Sequence, residues 1–571
     1  MLDRQCSRFL SGALLLFFAA PALADANPSE QTKSRPHIVM AFADDWGCYA
    51  SAYAKHFPGT ASEVISTPKF DSIARDGVLF TNAFVSAPSC TPCRSSLMSG
   101  QPFWRCEKAS ILLGAVWDFS LPAYPLLLEE SGYRIGHTYK VWSPGSPGNA
   151  PFGGARTASN KAGSKFNGFS QFVMRAKDRD AAKAKLFDEV RQNIRNFLDA
   201  DNDGKLDGDS PICYWFGPTN THRKWIANSG EQLWGINPDD LKGKLPAYLP
   251  DVPEIREDFA DYLGEAMAFD AALVVLDEEL ERLGIANNTL LVVSGDHGVP
   301  GISRGKCNLY DFGTHVPLAV RWPAGIQHAN RVVTDFVSLP ELATTFLEVA
   351  DVEAPATMIS QPITPLLMSD QSGRVDPNRD AVFTGRERHV AMAREGAKPY
   401  PQRAIQTDDW LYIINFEPDR TPLGDGPAMD ASDDQFPSEE LLRENTFAAY
   451  PDLDASPTKA FVTLNREKYP EAFDFMVGRR PRVELYDLKA DPDCLNNLAG
   501  NSDHAETESQ LDERLIGELK RTGDPRMSEP VMFEHGMFVE PVGPGNKKKQ
   551  NARKANSGKK TSPAKKSFPQ K

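Results

Sequence analysis

Cysteine is scarce in this sequence, with eight residues among 571, and its spacing excludes the common zinc sites. Cys90 and Cys93 form a C-x-x-C pair, but no second pair of cysteines or histidines follows at ligand spacing. Loss of Cys6 with a leader leaves an odd number of cysteines, so in an oxidising compartment one is unpaired or chemically special. A redox-active C-x-x-C pair stays open as an alternative.

Long apolar runs are also few. The one at the N-terminus spans residues 9–20, follows Arg4 and Arg8, and precedes the small-residue triplet Ala-Leu-Ala at 22–24. We therefore predict a signal peptide over residues 1–24 and a secreted or periplasmic mature protein. No later stretch reaches the roughly 20 apolar residues of a membrane helix, which predicts that the mature chain has no membrane span.

Positive charge is concentrated at the C-terminus. The formal net charge is −14, but residues 546–571 hold ten Lys and Arg and no Asp or Glu, so the rest of the chain carries −14 − 10 = −24. We predict a disordered basic tail over residues 536–571. A tether to a polyanion such as an acidic glycan is the alternative. The acidic body argues against a nucleic-acid partner.

Apolar, strand-like runs alternate with amphipathic helical segments along most of the chain. One such helix, predicted after Thr67, begins with Pro68 and stops at Gly77. This alternation predicts an α/β fold whose large, mostly parallel or mixed sheet is sandwiched by helices. Beyond residue 400, strand-like runs follow one another without long helices. We predict a catalytic domain over residues 25–398 and a smaller C-terminal α+β subdomain with an antiparallel sheet over residues 399–535.

Polar residues repeatedly follow the apolar, strand-like runs. Ligands of open α/β sheets bind beyond the carboxyl ends of the strands, so these residues are expected to converge. Adjacent buried acids need a cation between them, and carboxylate oxygens suit Ca²⁺ or Mg²⁺. Exposed loop charges are the alternative. The residues that follow the runs are Asp44, Asp45, Lys140, His222, Asp296, His297, Glu387 and His389.

Cys90 lies at the start of a predicted helix that contains Pro92 and stops at Gly100. A helix start favours an anion, and Arg94 lies about one turn further on. A thiolate nucleophile fits this position, but it fits poorly beside a hard, oxygen-ligated cation.

The segment 199–210 is unusually acidic. It follows the pattern of a calcium-binding loop, except that Ser210 stands at the twelfth position, where a bidentate Glu belongs. An acidic surface loop is the alternative. Positions 1, 3, 5, 6 and 9 of the pattern hold Asp199, Asp201, Asp203, Gly204 and Asp207.

The sequence resembles the sulfatase family over nearly the whole mature chain. Residues 90–94, Cys-Thr-Pro-Cys-Arg, match the family's C-x-P-x-R signature. Further similar motifs, in order, are ADDWG at 43–47, SGDHG at 294–298, GKCNLYDFGTHVPL at 305–318, AIQTDDWLYI at 404–413 and ELYDLKADPDCLNNLA at 484–499.

The resemblance implies an alkaline-phosphatase-like fold and a Cys90 that a formylglycine-generating or anaerobic sulfatase-maturating enzyme converts to Cα-formylglycine. One hydroxyl of the aldehyde hydrate then attacks sulfur, and the second expels sulfate as the aldehyde reforms. Arg94 would stabilise the hydrate, Lys140 and Lys306 would neutralise the sulfate, and His222 would be the general acid. The metal, Ca²⁺ with Mg²⁺ as the other option, would be held by Asp44, Asp45, Cys90, Asp296 and His297.

Two positions depart from the family pattern. Trp142 stands where relatives have a histidine that contacts the hydrate, and tryptophan cannot accept a proton. Either another base, His137 or Lys140, assists the release of sulfate, or turnover is impaired. His297 stands where many members have asparagine, which leaves the choice of ion open.

The segments at 221–223 and 306–313 look most like heparan N-sulfatases (N-sulfoglucosamine sulfohydrolases). The expected substrate is a sulfated saccharide, contacted by Glu387 and His389 unless these belong to a charged surface cluster. A phosphonate monoester or phosphodiester hydrolase and a non-catalytic sulfated-glycan binding protein remain alternatives. The sequence leaves a homodimer open.

Overall fold

The structure of the protein, a computed structural model, describes residues 35–528 and 532–534. The predicted signal peptide (1–24) and the predicted basic tail (536–571) lie outside the described residues. Within the described ranges, no helix combines the length and the apolar character that a membrane crossing needs.

A seven-stranded mixed sheet forms the centre of the fold. Its order is β4-β5-β1-β6-β7-β2-β8, and β7 alone runs antiparallel to both neighbours. The strands of the described chain are β1 His37–Ala43, β2 Val78–Phe80, β3 Ala83–Phe84, β4 Arg134–Tyr139, β5 Ile212–Gly217, β6 Thr289–Gly295, β7 Leu318–Arg321, β8 Arg331–Val333, β9 Val337–Ser338, β10 Ala381–Arg386, β11 Gln402–Thr407, β12 Trp410–Asn415 and β13 Val483–Asp487.

Both faces of the large sheet are buried. Along β1, Val39 and Ala41 belong to one apolar core, while Met40 and Phe42 belong to a second core on the opposite face. Strands buried on both faces read as continuous apolar runs, which is why β1, β5 and β6 were recognisable in the sequence.

Helices cover the two faces. Phe259 of α7 packs into the first core, and Leu97 of α2 packs into the second. This arrangement confirms the predicted fold class. The helices of the described chain are α1 Pro68–Arg75, α2 Cys90–Ser99, α3 Tyr124–Glu130, α4 Phe169–Val173, α5 Arg179–Leu198, α6 Ser229–Trp234, α7 Pro253–Arg282, α8 Asp311–Thr314, α9 Glu341–Val349, α10 Thr364–Met368, α11 Glu439–Glu444, α12 Pro457–Leu464, α13 Pro470–Val477, α14 Ala505–Thr522 and α15 Pro525–Ser528.

A second sheet, β10-β11-β12-β13, is antiparallel throughout. The predicted antiparallel sheet is therefore present, and its first strand, β10, precedes residue 399. Helix α14 packs on this sheet through Leu511 and Leu515. The domain boundaries at 398 and 399 stay predictions.

Two glycines allow close approach of backbone at the carboxyl edge of the large sheet. A Cβ on Gly217, the last residue of β5, would lie 1.9 Å from the carbonyl oxygen of Lys140. A Cβ on Gly295, the last residue of β6, would lie 2.0 Å from the carbonyl oxygen of Trp46. Because real side chains do not tolerate such distances, glycine is required where the loops after β1 and β4 pass these strand ends.

Candidate active site

The loops after β1, β4, β5 and β6 bring their polar residues together at one edge of the large sheet. These four strands are mutually parallel, so their carboxyl ends lie at the same edge. Helix α2 begins at that edge with Cys90. The assembled residues are Asp44, Asp45, Cys90, Arg94, Lys140, His222, Asp296, His297 and Lys306.

A buried cluster of metal-type ligands lies at the centre of the site. One ligand atom each from Asp45, Cys90, Asp296 and His297 lies within 4.8 Å of the others. The Cys90 Sγ is 3.3 Å from His297 Nε2 and 3.7 Å from Asp45 Oδ1. Asp44 forms a second, overlapping group with Asp45 and His222. The carboxylates predicted from distant segments of the chain therefore surround the Cys90 side chain.

His297 shows that this donor set fits a cation. Its Nδ1 lies 3.1 Å from the Gly298 carbonyl oxygen, and its Nε2 lies 3.0 Å from Asp45 Oδ1. Because Nδ1 donates to that carbonyl, a neutral ring points the Nε2 lone pair at carboxylate oxygens, which is repulsive unless a cation lies between them. Without such a cation, burial lowers the pKa of His297, but Asp296 and Asp45 outweigh burial and hold it well above its ordinary value.

Arg94 fixes the positions of two carboxylates. The fully buried guanidinium donates from Nε to Asp296 Oδ2 at 2.8 Å and from one terminal nitrogen to Asp44 Oδ1 at 2.9 Å. The other terminal nitrogen donates to the Val141 carbonyl at 3.0 Å. A bound, planar guanidinium of this kind sets both distance and orientation between its partners. A direct contact of Arg94 with the predicted hydrate stays a prediction.

Two lysines flank the cluster. Lys140 Nζ lies 2.6 Å from Asp44 Oδ1, and Lys306 Nζ lies 3.0 Å from Asp45 Oδ2. Burial alone would raise the pKa of Asp45, but Lys306, His222 and His297 outweigh it and keep the pKa well below its ordinary range. Burial likewise acts to raise the pKa of Asp44, but Lys140 and Arg94 outweigh it and lower that pKa. Both acids are therefore charged at neutral pH.

With His297 neutral, as a metal ligand has to be, six charged groups of the site balance one another. Three carboxylates face three side chains that are cationic at neutral pH. A divalent cation would add two positive charges, so the loaded site would attract an anion such as a sulfate group. The balancing groups are Asp44, Asp45, Asp296, Arg94, Lys140 and Lys306.

Strained backbone positions adjoin the functional side chains. Asp45 has φ = 60°, Tyr139, which precedes Lys140, has φ = 67°, and Cys307, which follows Lys306, has φ = 72°. Left-handed φ values are unfavourable for residues with a side chain and persist where the surrounding structure fixes them. The backbone thus carries strain at the points where it presents Asp45, Lys140 and Lys306.

His222 is the most solvent-accessible of the converging residues. Its side chain is 37% exposed, and its Nε2 lies 3.9 Å from Asp45 Oδ2. Its Nδ1 lies 2.7 Å from the Arg223 carbonyl oxygen, which fixes the ring and leaves Nε2 on the side of the site. A histidine between solvent and a buried cluster is well placed to exchange a proton with a bound substrate.

The two residues predicted to contact a sugar have different surroundings. His389 Nδ1 lies 2.8 Å from Ser89 Oγ, directly before Cys90, and burial lowers the pKa of His389 to about 3. Glu387 is buried in a network of ion pairs, with Arg403 at 2.9 Å and Arg526 at 2.6 Å. His389 therefore lies at the start of helix α2, whereas the carboxylate of Glu387 forms ion pairs with two arginines.

We expect Glu387→Gln to lower the free energy of unfolding by about 3 kcal/mol, because it leaves Arg403 and Arg526 buried with one counter-charge fewer. Chemical denaturation measures this change. The matched control is Glu417→Gln, which removes an i,i+3 partner of Arg420 that is 42% exposed, and we expect it to cost less than about 1 kcal/mol. A fall in kcat/KM at unchanged stability of Glu387→Gln would instead assign Glu387 to the substrate.

Trp142 and His137 do not face the metal-type cluster. The Trp142 ring is fully buried, donates from Nε1 to Ser95 Oγ at 2.8 Å and packs edge-on against Trp117. His137 lies between Thr157 and Asn149, and burial lowers its pKa to about 4. The loop after β4 therefore directs Trp142 into the packing beneath α2.

Asp454 is a site residue that sequence reasoning missed. Its carboxylate lies 3.3 Å from Lys306 Nζ, and its side chain is 15% exposed. The loop between α11 and α12 that carries it is held by Lys459, which donates to the carbonyls of Tyr450 and Leu453. No local pattern could have revealed this long-range contact, because "DLDAS" reads as an ordinary polar loop.

All seven cysteines of the described chain are free thiols, and six of them are buried. Burial raises the pKa of Cys93 well above its ordinary value. Cys93 is thus poorly suited to the thiolate chemistry of a redox C-x-x-C pair.

A mixed sheet between two helical layers, with a cluster of acids beyond its parallel strand ends, is the arrangement of the alkaline-phosphatase-like fold. The sequence model of the sulfatase family matches residues 36–352, and the model of the N-sulphoglucosamine sulphohydrolase C-terminal region matches residues 303–416. The chain belongs to the sulfatase family and is a sulfuric ester hydrolase.

The chain is similar in sequence to a known sulfohydrolase and in fold to solved structures. The chain is 26% identical to N-sulphoglucosamine sulphohydrolase of Homo sapiens over 543 residues, which cover 90% of this chain and 95% of that protein. A solved structure in complex with its substrate D-glucosamine-2-N,6-O-disulfate has a TM-score of 0.56 at 16% identity, covering 87% of this chain and 100% of that one. The phosphonate monoester hydrolase of Agrobacterium radiobacter has a TM-score of 0.54 at 17% identity, covering 86% and 96%.

Proposed function

We propose that this sulfatase removes sulfate from N-sulfated glucosamine residues at the ends of glycosaminoglycan chains. The observation that carries the reaction type is the convergence of Asp45, Asp296 and His297 on the Cys90 side chain. The similarity to the human N-sulphoglucosamine sulphohydrolase, in both halves of the chain, supports the substrate class.

The nucleophile in this proposal is the hydrate of a formylglycine at position 90. In the unmodified chain, the Cys90 Sγ marks where the hydroxyl groups of that hydrate lie. A divalent cation, Ca²⁺ in our proposal, would be held by Asp44, Asp45, Asp296, His297 and residue 90, and would polarise the oxygens around the reacting sulfur. The positively polarised start of α2 favours negative charge on the same residue.

Lys140 and Lys306 bind the sulfate group from two sides. One hydrate hydroxyl, which has already lost its proton to solvent, attacks sulfur, so that an O–S bond forms and the bond from sulfur to the leaving nitrogen or oxygen breaks. His222 donates the proton on Nε2 to that leaving atom. Lysines placed on both sides stabilise the charge that spreads over the sulfate oxygens in the transition state.

Release of sulfate needs a base for the proton of the second hydroxyl. His137 is enclosed by Thr157 and Asn149, and Lys140 is paired with Asp44, which together with other nearby acids outweighs burial and raises the pKa of Lys140. His222, left neutral by the first step, is the base we propose. Its acceptance of the proton lets the aldehyde reform as the bond between carbon and the sulfate oxygen breaks.

The burial of the site favours a chain end over the interior of a polymer. Cys90 is only 2% exposed and Lys306 only 3%, so the sulfate group has to reach a buried site whose most accessible residue is His222. Asp454, next to Lys306, offers a carboxylate to a sugar hydroxyl or amino group on the same side. His389, next to Ser89, remains the sugar contact proposed from the sequence, whereas the carboxylate of Glu387 is held by Arg403 and Arg526.

The proposal includes export and maturation. The leader at residues 1–24 would direct the chain to the periplasm or the exterior, where sulfated glycans are found. A formylglycine-generating or anaerobic sulfatase-maturating enzyme would be the partner that converts Cys90. A homodimer and the domain boundaries at 25–398 and 399–535 remain part of the proposal.

A substrate panel tests the reaction. We expect kcat/KM to be higher for N-sulfoglucosamine than for glucosamine 6-sulfate, an aryl sulfate or a phosphonate monoester. The peptide covering residues 86–94 should be about 18 Da lighter than its cysteine form, as conversion to formylglycine requires. A preference for the phosphonate monoester would favour the hydrolase alternative, and glycan binding without turnover by fully converted protein would favour a binding protein.

A further inference from the structure

The acidic loop between α5 and β5 lies away from the active site. It spans residues 199–210 and leads into the amino end of β5, whereas the active site lies beyond the carboxyl ends of β5 and its parallel neighbours. The two groups of acids therefore lie at opposite edges of the large sheet. Nothing in the proposed sulfatase reaction uses the loop.

Three carboxylates meet in this loop. Asp199, Asp201 and Asp203 each place an oxygen within 4.8 Å of the others. Asp201 and Asp203 are exposed, but the Asp199 side chain is fully buried. Five acids and one lysine lie within residues 199–210, so the loop is strongly negative before its neighbours are counted.

Asp199 contains a buried oxygen without a partner. Its Oδ2 accepts a hydrogen bond from the Gly204 backbone N–H at 3.2 Å and pairs with Arg282 at 2.8 Å. Its Oδ1 is buried and has no hydrogen-bond partner. A buried carboxylate oxygen without a donor carries a desolvation penalty, which a bound cation removes.

We propose that residues 199–210 bind a second Ca²⁺, with Asp199, Asp201 and Asp203 as side-chain ligands. The spacing of these residues is that of positions 1, 3 and 5 of a calcium loop, and position 7 supplies a backbone carbonyl, here that of Lys205. Gly204 has φ = 85°, which suits the sharp turn at position 6. Ser210 in place of the bidentate Glu predicts weaker binding than in a complete loop.

The position of the loop indicates a structural role. Asp199 caps the carboxyl end of α5, and Arg282 is the last residue of α7. A cation at Asp199 would neutralise the acids that Arg282 alone does not balance and would hold the two helix ends together. Calcium should therefore affect stability and leave the chemistry at Cys90 unchanged.

The test compares full-length wild-type protein with the double variant Asp201→Asn/Asp203→Asn, after chelation and readdition of CaCl₂. We expect isothermal titration calorimetry to show one equivalent of Ca²⁺ fewer for the variant, and thermal unfolding to show a smaller rise in Tm on adding CaCl₂. The matched control is Asp209→Asn, which removes an acid of the same loop at a non-ligand position and should behave as wild type.

Equal stoichiometry and equal Tm shifts in wild type and double variant overturn the proposal. Unchanged kcat/KM of the double variant shows that it is folded and keeps the two sites separate. Because the readout is calcium binding, a failure of the proposed sulfamate specificity leaves this test unaffected.

Discussion

Replacement of Cys90 with alanine is expected to lower kcat/KM for any sulfated substrate by at least about a thousandfold, since removal of a covalent nucleophile leaves only binding and electrostatic stabilisation. The side chain is small and buried at the first turn of α2, so its removal should barely alter packing. Initial rates over a range of substrate concentrations, with the fold checked by circular dichroism, measure the effect.

The neighbouring cysteine is the matched control. Cys93 lies in the same helix, is equally buried and belongs to the apolar core. Cys93→Ala should keep its rate within about threefold of wild type while losing a little stability through a small cavity. Full activity of Cys90→Ala would remove the nucleophile from the mechanism and with it the whole covalent route.

Substitution of His222 by glutamine should have the second largest effect, and the effect should depend on the leaving group. For a sulfamate or an alkyl sulfate, whose leaving atom needs a proton, we expect kcat to fall by about a hundredfold to ten-thousandfold. For 4-nitrophenyl sulfate, whose leaving phenolate is stable without a proton, the first step should slow by less than about tenfold. The variant should therefore release a burst of 4-nitrophenolate before the slowed release of sulfate limits turnover.

His137→Gln provides the comparison for His222. Its ring is enclosed by Thr157 and Asn149, away from the metal-type cluster, so we expect no dependence on the leaving group. Equal slowing of the first step for both kinds of substrate in His222→Gln would make His222 a binding residue. A loss confined to release of sulfate in His137→Gln, seen as a burst of leaving group, would restore His137 as the base.

Much of the fold could be predicted because its signals are local. The helix 68–75 has its proline at the first position, and α7 has a continuous apolar pattern that stops before Gly284. The antiparallel strand β7 could not be predicted, because strand direction depends on a crossover that no short segment encodes. The start of the second sheet in β10 was also not evident, since its pairing partner β11 lies about twenty residues later.

The residues of the site could be predicted where the ends of parallel strands bring them together. The orientation of a single side chain after its strand could not be predicted. Asp45 and Asp296 lie beyond neighbouring strands, so their approach follows from topology. Glu387 follows β10, yet its carboxylate turns to Arg403 of the adjacent strand. Asp454 lies in the loop between helices α11 and α12 and does not follow a strand. Its contact with Lys306 is therefore evident only in the folded chain.

Every residue of α2, from Cys90 to Ser99, is buried. An enzyme that modifies position 90 has to reach a side chain that the folded molecule leaves only 2% exposed. The proposed conversion therefore has to be completed while the chain is still being made or exported. A molecule that folds before conversion would stay inactive. The active fraction of a preparation would therefore depend on the relative rates of Cys90 conversion and folding in the producing cell.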